Sequence, residues 1–293
     1  MSTVTGSAAS SNVKEQALRA LAKLPPFSPI LNRLIASLAQ EDVSFAKIAD
    51  LIEKDTVLAG NVLRLVNSAL YGLRGTVNSI RHAVSLLGIS KLRNATLSMS
   101  VARMWSQVKS PPGWSMAQFN MHSVAVAILS DLVAQRQSVE YAEGAFAAGL
   151  FHDLGLLLVA LGLPEEYKQL CLLHKQSPKW MLEYETQVLG MTHVQLSAEA
   201  LGVWNLPEPI QTAVRFVDTP DKDPTAGNPD EVSLSLVLNV TDRYVKGIGT
   251  SINLFDGTPE DGQLAIESLG LGERLPAVLS EFEQEFSIIK SYF

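Results

Sequence analysis

His152 and Asp153 sit side by side in the apolar run Phe146-Ala147-Ala148-Gly149-Leu150-Phe151-His152-Asp153-Leu154-Gly155-Leu156-Leu157-Leu158. An imidazole and a carboxylate are costly to bury among aliphatic side chains unless they are paired, hydrogen-bonded or bound to a metal. Adjacent residues on a helix point about 100° apart. The pair can therefore serve one ion only from the side, and the other ligands must arrive from other helices. His122, on an earlier helical segment, and Asp242, on a later one, are the candidates. Two imidazoles and two carboxylates form a mixed N/O set suited to one divalent iron, manganese or zinc ion. Each residue also has a structural reading. His152 and Asp153 could be a hydrogen-bonded brace between helices, His122 a satisfied core histidine, and Asp242 a salt-bridge or turn-capping residue. His82 and His174 read as surface or groove residues, and Cys171 as a small buried hydrophobe. No Ser-His-acid arrangement, phosphate-binding glycine loop or CxxC is apparent.

The elements that must position these residues are helical. Phe45, Ile48, Ala49 and Ile52 recur at i, i+3, i+4, i+7, and Leu58, Val62, Leu65, Val66 and Ala69 continue the pattern. Ser44 is a plausible N-cap for the first of these helices, and the chain turns through Gly72-Leu73-Arg74-Gly75. Leu24-Pro25-Pro26-Phe27-Ser28-Pro29 breaks one helix and starts the next. Thr192-His193-Val194-Gln195 reads as a capping box, and Pro207 fits the first position of the following helix. No alternating β-branched run is long enough for a sheet. The expected fold is all-α, a two-lobed helical bundle meeting near the break Pro111-Pro112-Gly113. The expected division is a disordered terminus over 1–12, an N-terminal helical lobe over 13–110 and a C-terminal lobe over 114–293 with a polar insert at 218–230.

The 293 residues are 47% hydrophobic, enough for a sizeable core, with a net charge of −7. The acidic balance leaves no basic footprint for nucleic acid. A single cysteine excludes an internal disulfide and fits a reducing compartment. Residues 1–7 lack the basic start and apolar core of a signal peptide, so the expected location is the cytoplasm. The most apolar stretch, 145–163, is interrupted by His152-Asp153 and three glycines. It reads as a buried helix pair, and no membrane partner is expected.

A family likeness runs through Leu24-Pro25-Pro26, Asp55-Thr56-Val57-Leu58, Leu63-Arg64-Leu65-Val66-Asn67-Ser68-Ala69-Leu70-Tyr71-Gly72, Ser79-Ile80-Arg81-His82-Ala83 and Leu86-Leu87-Gly88. With Gly149-Leu150-Phe151-His152-Asp153-Leu154-Gly155 and Trp204-Asn205-Leu206-Pro207-Glu208-Pro209-Ile210, these segments resemble the bacterial HDOD (HD-related output domain) family over roughly residues 17–217. The resemblance implies an HD-like C-terminal lobe. It places the metal ligands of the wider HD hydrolase superfamily at His122, His152, Asp153 and Asp242. His193 resembles a further histidine that binuclear HD phosphodiesterases use for a second metal. Two departures stand out. Leu156 occupies the place of a lysine in those enzymes, and Arg215-Phe216-Val217-Asp218 that of a histidine pair. Their Gly-Tyr-Pro motif is also missing.

Two functions follow as expectations. The first is a signalling output module that binds a protein partner, or a small nucleotide-type ligand, and holds at most one divalent metal ion. His193, Arg215, Asn67, Tyr71 and Arg81 would line its groove, although Asn67 and Tyr71 also suit a helix end and its turn. The alternative is a metal-dependent phosphohydrolase acting on a nucleotide or cyclic dinucleotide. The replaced lysine and histidine pair favour the binding module over the enzyme.

Overall fold

The computed structural model describes residues 5–38, 45–68, 76–176, 181–227, 230–252 and 258–290. Among these residues the secondary structure is helical, apart from one isolated bridge between Val139 and Val232. The N-terminal lobe is built from α2 (Pro29–Ser37), α3 (Phe45–Lys54), α4 (Thr56–Val66), α5 (Ile80–Leu87) and α6 (Ile89–Trp105). The C-terminal lobe follows with α7 (Met116–Ala134), α8 (Ala145–Phe151), α9 (Leu154–Gly162), α10 (Pro164–Gln176) and α11 (Met181–Leu189). It continues through α12 (His193–Val203), α13 (Glu208–Arg215), α14 (Leu234–Gly247), α15 (Pro259–Ser268) and α16 (Leu275–Ile289). One continuous apolar core runs through both lobes. Ser44, Tyr71 with the turn through Gly75, and the side chain of His174 lie outside the described residues.

Helix starts follow local chemistry. Side chains of Ser28, Asp55, Ser79, Ser115 and Ser233 each accept a hydrogen bond from the backbone three residues on. The capping box at Thr192 and Gln195 is present in both directions and fixes where α12 begins. Pro207 departs from expectation. It is the extended residue ahead of α13, and Glu208 is the first helical residue.

The N-terminus also departs from expectation. Residues 5–12 are not structureless but belong to α1 (Thr5–Arg19). Small polar residues form helix poorly alone, but an anchored helix adds residues cheaply because nucleation has already been achieved. The anchor lies further along: Ala17 and Ala20 are buried, and Gln16 and Lys23 donate to the carbonyls of Gly162 and Leu161. Helix α1 thus packs on α9 and α12, in the opposite lobe from the helices that follow it.

The lobes are joined by named contacts. Phe27, ahead of α2, packs on Trp204 with ring centroids 4.6 Å apart, and Trp204 meets Phe151 edge-on at 5.8 Å. Lys91 of α6 pairs with Glu281 and Glu285 of α16 at 2.9 and 2.7 Å. The stretch Ala142–Gly162 is long and apolar enough to cross a membrane, but 94% of its most apolar window is buried inside the protein. Its continuity breaks at His152 and Asp153, where α8 hands over to α9.

Two glycines let the helices of this break approach their neighbours. A Cβ on Gly149 would stand 2.7 Å from the Ala127 Cα of α7. One on Gly155 would stand 2.0 Å from the backbone oxygen of His193.

Candidate metal centre

Four elements deliver four side chains to one point. His122 comes from the middle of α7, His152 ends α8, Asp153 starts α9, and Asp242 lies on α14. The His122 Nε2 atom is 3.3 Å from Asp153 Oδ2 and 3.1 Å from Asp242 Oδ1. The His152 Nε2 atom is 3.3 and 3.6 Å from the same two oxygens.

Both rings are oriented from behind. His122 Nδ1 lies 2.8 Å from the Thr250 carbonyl, and His152 Nδ1 lies 2.7 Å from the Gly149 carbonyl. A carbonyl only accepts, so each Nδ1 carries the proton and each neutral ring turns its Nε2 lone pair inward. Those lone pairs face carboxylate oxygens. His122 Nε2, His152 Nε2 and Asp242 Oδ1 are buried without a hydrogen-bond partner of good geometry. Such a set demands either extra protons or a cation at its centre.

The spacing suits a cation. Ligand atoms about 2.1 Å from a shared ion stand about 3.0 Å apart at right angles and about 3.4 Å apart at the tetrahedral angle. Three of the four observed separations, 3.1, 3.3 and 3.3 Å, fall inside that interval, and the fourth, 3.6 Å, lies just beyond it. His122, His152 and Asp242 by themselves form a candidate metal triad whose ligand atoms lie within 4.8 Å of one another. The residues present therefore fit a single divalent ion.

Without an ion, protons take its place. Burial works against charge on His122 and His152, but Asp153 and Asp242 outweigh it and raise both pKa values. Burial likewise opposes ionisation of the two aspartates. His152, for Asp153, and Lys246, for Asp242, lead the groups that hold them well below the usual carboxylate range.

A second layer surrounds this quartet. His193 Nε2 lies 3.2 Å from Asp153 Oδ1, and His193 Nδ1 lies 2.9 Å from both oxygens of Glu185 on α11. The His193 backbone N–H also donates to Glu185 at 2.7 Å. Burial is again outweighed, by Glu185 and then Asp153, so the His193 pKa stands well above its ordinary value. Lys246, one turn beyond Asp242, donates to Asp242 Oδ2 at 2.6 Å. Asp218 places a buried, unpartnered Oδ2 nearby, and burial pushes its pKa up.

Gly155 holds the two layers in register. Its N–H donates to Ser197 Oγ at 2.7 Å, and that hydroxyl donates to the His193 carbonyl at 3.0 Å. A methyl group here collides with backbone, which cannot swing aside. Gly155→Ala is expected to destabilise the protein by about 1–3 kcal/mol, the usual overpacking range, and to separate His193 from Asp153. Urea unfolding with the shift of the His193 ring resonances checks both. Unchanged unfolding and resonances would count against this role.

The other residues singled out in the sequence go elsewhere. Asn67 donates from Nδ2 to the Leu63 and Val77 carbonyls and accepts at Oδ1 from the Val77 N–H, which staples the end of α4 to the chain before α5. Arg81 pairs with Asp50 on α3, and Arg215 with Glu199 at 3.4 Å. The sequence reading missed Glu185, Asp218 and Lys246. Only Lys246 carried a local signal, its i+4 spacing from Asp242.

Comparison with known proteins adds the following. A family model described as HDOD domain matches residues 24–220. An uncharacterised protein of Treponema pallidum (strain Nichols) is 25% identical over 228 residues, covering 76% of this chain and 43% of that protein. The chain thus spans less than half the length of this curated relative. The crystal structure of an HDOD domain protein of unknown function from Geobacter sulfurreducens superposes with a TM-score of 0.75 at 20% identity, covering 97% and 99% of the two chains. That of a candidate phosphohydrolase from Shewanella amazonensis SB2B superposes with a TM-score of 0.70 at 20% identity, covering 94% and 97%.

Proposed function

Because the chain belongs to the HDOD domain family, we propose that it is a signalling output module that binds a partner protein while one buried divalent ion sets its shape. His122, His152, Asp153 and Asp242 would hold the ion. When bound, the ion supplies the positive charge that protons on His122 and His152 otherwise provide.

The observation that carries this reading is the enclosure of the centre. None of His122, His152, Asp153, Glu185, His193 and Asp242 is more than 7% exposed. Catalytic ions keep a position open to substrate, whereas structural ions are closed in by protein ligands. Phosphoryl transfer also needs groups that stabilise charge on the phosphoryl oxygens. Leu156 is buried and apolar, Arg215 is engaged by Glu199, and Lys246 is engaged by Asp242.

Helix α7 connects the centre to a recognition surface. Asn120, two residues before His122, lines a cavity of about 490 Å³ together with Asp55, Asn61, Ser100 and Arg103. That volume suits side chains of a partner or a small ligand. An ion that fixes α7 through His122 would also fix the floor of this cavity.

The phosphohydrolase reading draws on the description of the Shewanella relative. One experiment separates the two. Metal-loaded protein is incubated with cyclic dinucleotides and nucleoside monophosphates, and amide exchange around Asn120 is followed with and without metal. The output reading expects turnover far below about 1 per second and slower exchange in α6 and α7 when metal is present. Turnover at or above that rate, abolished in Asp153→Ala, would assign the centre to hydrolysis.

A further inference from the structure

We infer that the cavity beside α7 takes a short uncharged segment of a partner polypeptide, packing one of its apolar side chains and hydrogen-bonding its backbone through Asn61 and Asn120. This rests on the proposed output role for the partner being a protein. The cavity, about 490 Å³, opens between the chain ahead of α2 and helices α4, α6 and α7. Its apolar lining includes Leu31, Leu58, Met99 and Met104, all buried. Thioether side chains adapt their shape to an incoming apolar group.

Two carboxamides line the same space. Asn61 lies in the middle of α4 and Asn120 in the second turn of α7. Asparagine forms helix poorly, and a buried amide without partners is costly. Asn120 is only 9% exposed, yet among the described residues no side-chain hydrogen bond holds its amide or that of Asn61. Asn67, by contrast, spends both amide atoms on backbone groups. Ser100, in the same lining, keeps a buried hydroxyl without a partner.

Charge selects the ligand class. Arg103 is the only cation among the described residues that line the cavity, and Asp55 holds it at 2.8 Å while capping α4. No uncommitted cation is left for a phosphate or a carboxylate. A carboxamide offers N–H donors and a C=O acceptor, the complement of the C=O and N–H of a peptide group. Two such amides with an apolar lining match an uncharged peptide rather than a nucleotide.

The probe is N-acetyl-leucine N-methylamide, one apolar side chain between two peptide groups, titrated into the whole chain and followed by NMR. The Met99 and Met104 methyls and the Asn61 and Asn120 amide protons should shift saturably, with a Kd on the order of 1 mM for a fragment of this size. N-acetyl-leucine methyl ester lacks one N–H and should bind about fivefold more weakly, the loss of roughly one net hydrogen bond. Asn61→Leu and Asn120→Leu remove the amides at nearly constant volume, and each should weaken the probe by a similar factor. Adenosine and adenosine monophosphate should leave these resonances in place. No saturable shift at these residues, equal affinity for amide and ester in the wild type, or tighter binding of adenosine or its monophosphate overturns the inference. Asn61 is only partly buried, so Asn61→Leu decides alone if Asn120→Leu does not fold. The titration is run with and without Mn(II). Equal affinity in both refutes control of the cavity by the ion and leaves the peptide site standing, whereas no binding in either removes the peptide site.

Discussion

Asp153→Asn is expected to empty the metal centre and to cause the largest stability loss of any single substitution in the C-terminal lobe. Asp153 touches three histidines: Oδ2 stands 3.3 Å from His122 and from His152, and Oδ1 stands 3.2 Å from His193. Asparagine keeps the shape but removes the charge. Breaking a buried ionic group by removing one partner costs about 3–5 kcal/mol, because the surviving charges stay buried and uncompensated. In a chain of this size that corresponds to a fall in Tm on the order of 10 °C. Calorimetry with metal analysis on the purified variant checks it. Full metal occupancy with a Tm within a degree or two of wild type would remove Asp153 from the site.

Proton release on metal uptake is the second large effect. In the metal-free protein Asp153 and Asp242 outweigh burial and raise the folded-state pKa values of His122 and His152 above the unfolded value. The stability this adds is fully present below about pH 6.5, the ordinary histidine value, and is lost as pH rises through the raised values. A metal ion must displace the same two protons. Its affinity should therefore climb by up to about 100-fold per pH unit in the range where both rings are still protonated, roughly 2.7 kcal/mol. Heating experiments should show metal-free protein losing Tm towards alkaline pH while metal-loaded protein holds its value. Titration calorimetry in buffers of different ionisation enthalpy should count close to two protons released per ion. A count near zero would mean that the rings are neutral before the ion arrives and would refute the electrostatic account. In the metal-free protein Glu185, with Asp153, also raises the His193 pKa well above its ordinary value.

The inner quartet was more legible in the sequence than its surroundings, for physical reasons. His152, Asp153 and His122 stand out because polar side chains in apolar helical runs require partners, and the family register supplies Asp242. The capping box at Thr192 and Gln195 is visible because it depends on residues three apart. Glu185 was hidden. It sits among polar neighbours on α11, where an acidic residue ordinarily faces water, and only the fold turns it onto His193. Asp218 was hidden for a similar reason, inside a polar stretch read as an insert. Asn67 shows the reverse. Its place at a helix end allowed both a groove and a structural reading, and its hydrogen bonds to Leu63 and Val77 account for all of its side-chain groups. The docking of α1 on the C-terminal lobe eluded the sequence because its partners there lie about 140 residues or more downstream.

That separation also has a consequence for synthesis. Helix α1 is made before its seat, which is formed by α9 (Leu154–Gly162) and α12 (His193–Val203). At about 5–20 residues per second, the ribosome needs roughly 10–40 s to deliver that seat after α1 has left it. Through that interval the apolar stripe containing Ala17 and Ala20 has no cover from its own chain. Helix α1 can dock only once α12 has been made, so a nascent chain halted between the two would carry this stripe uncovered.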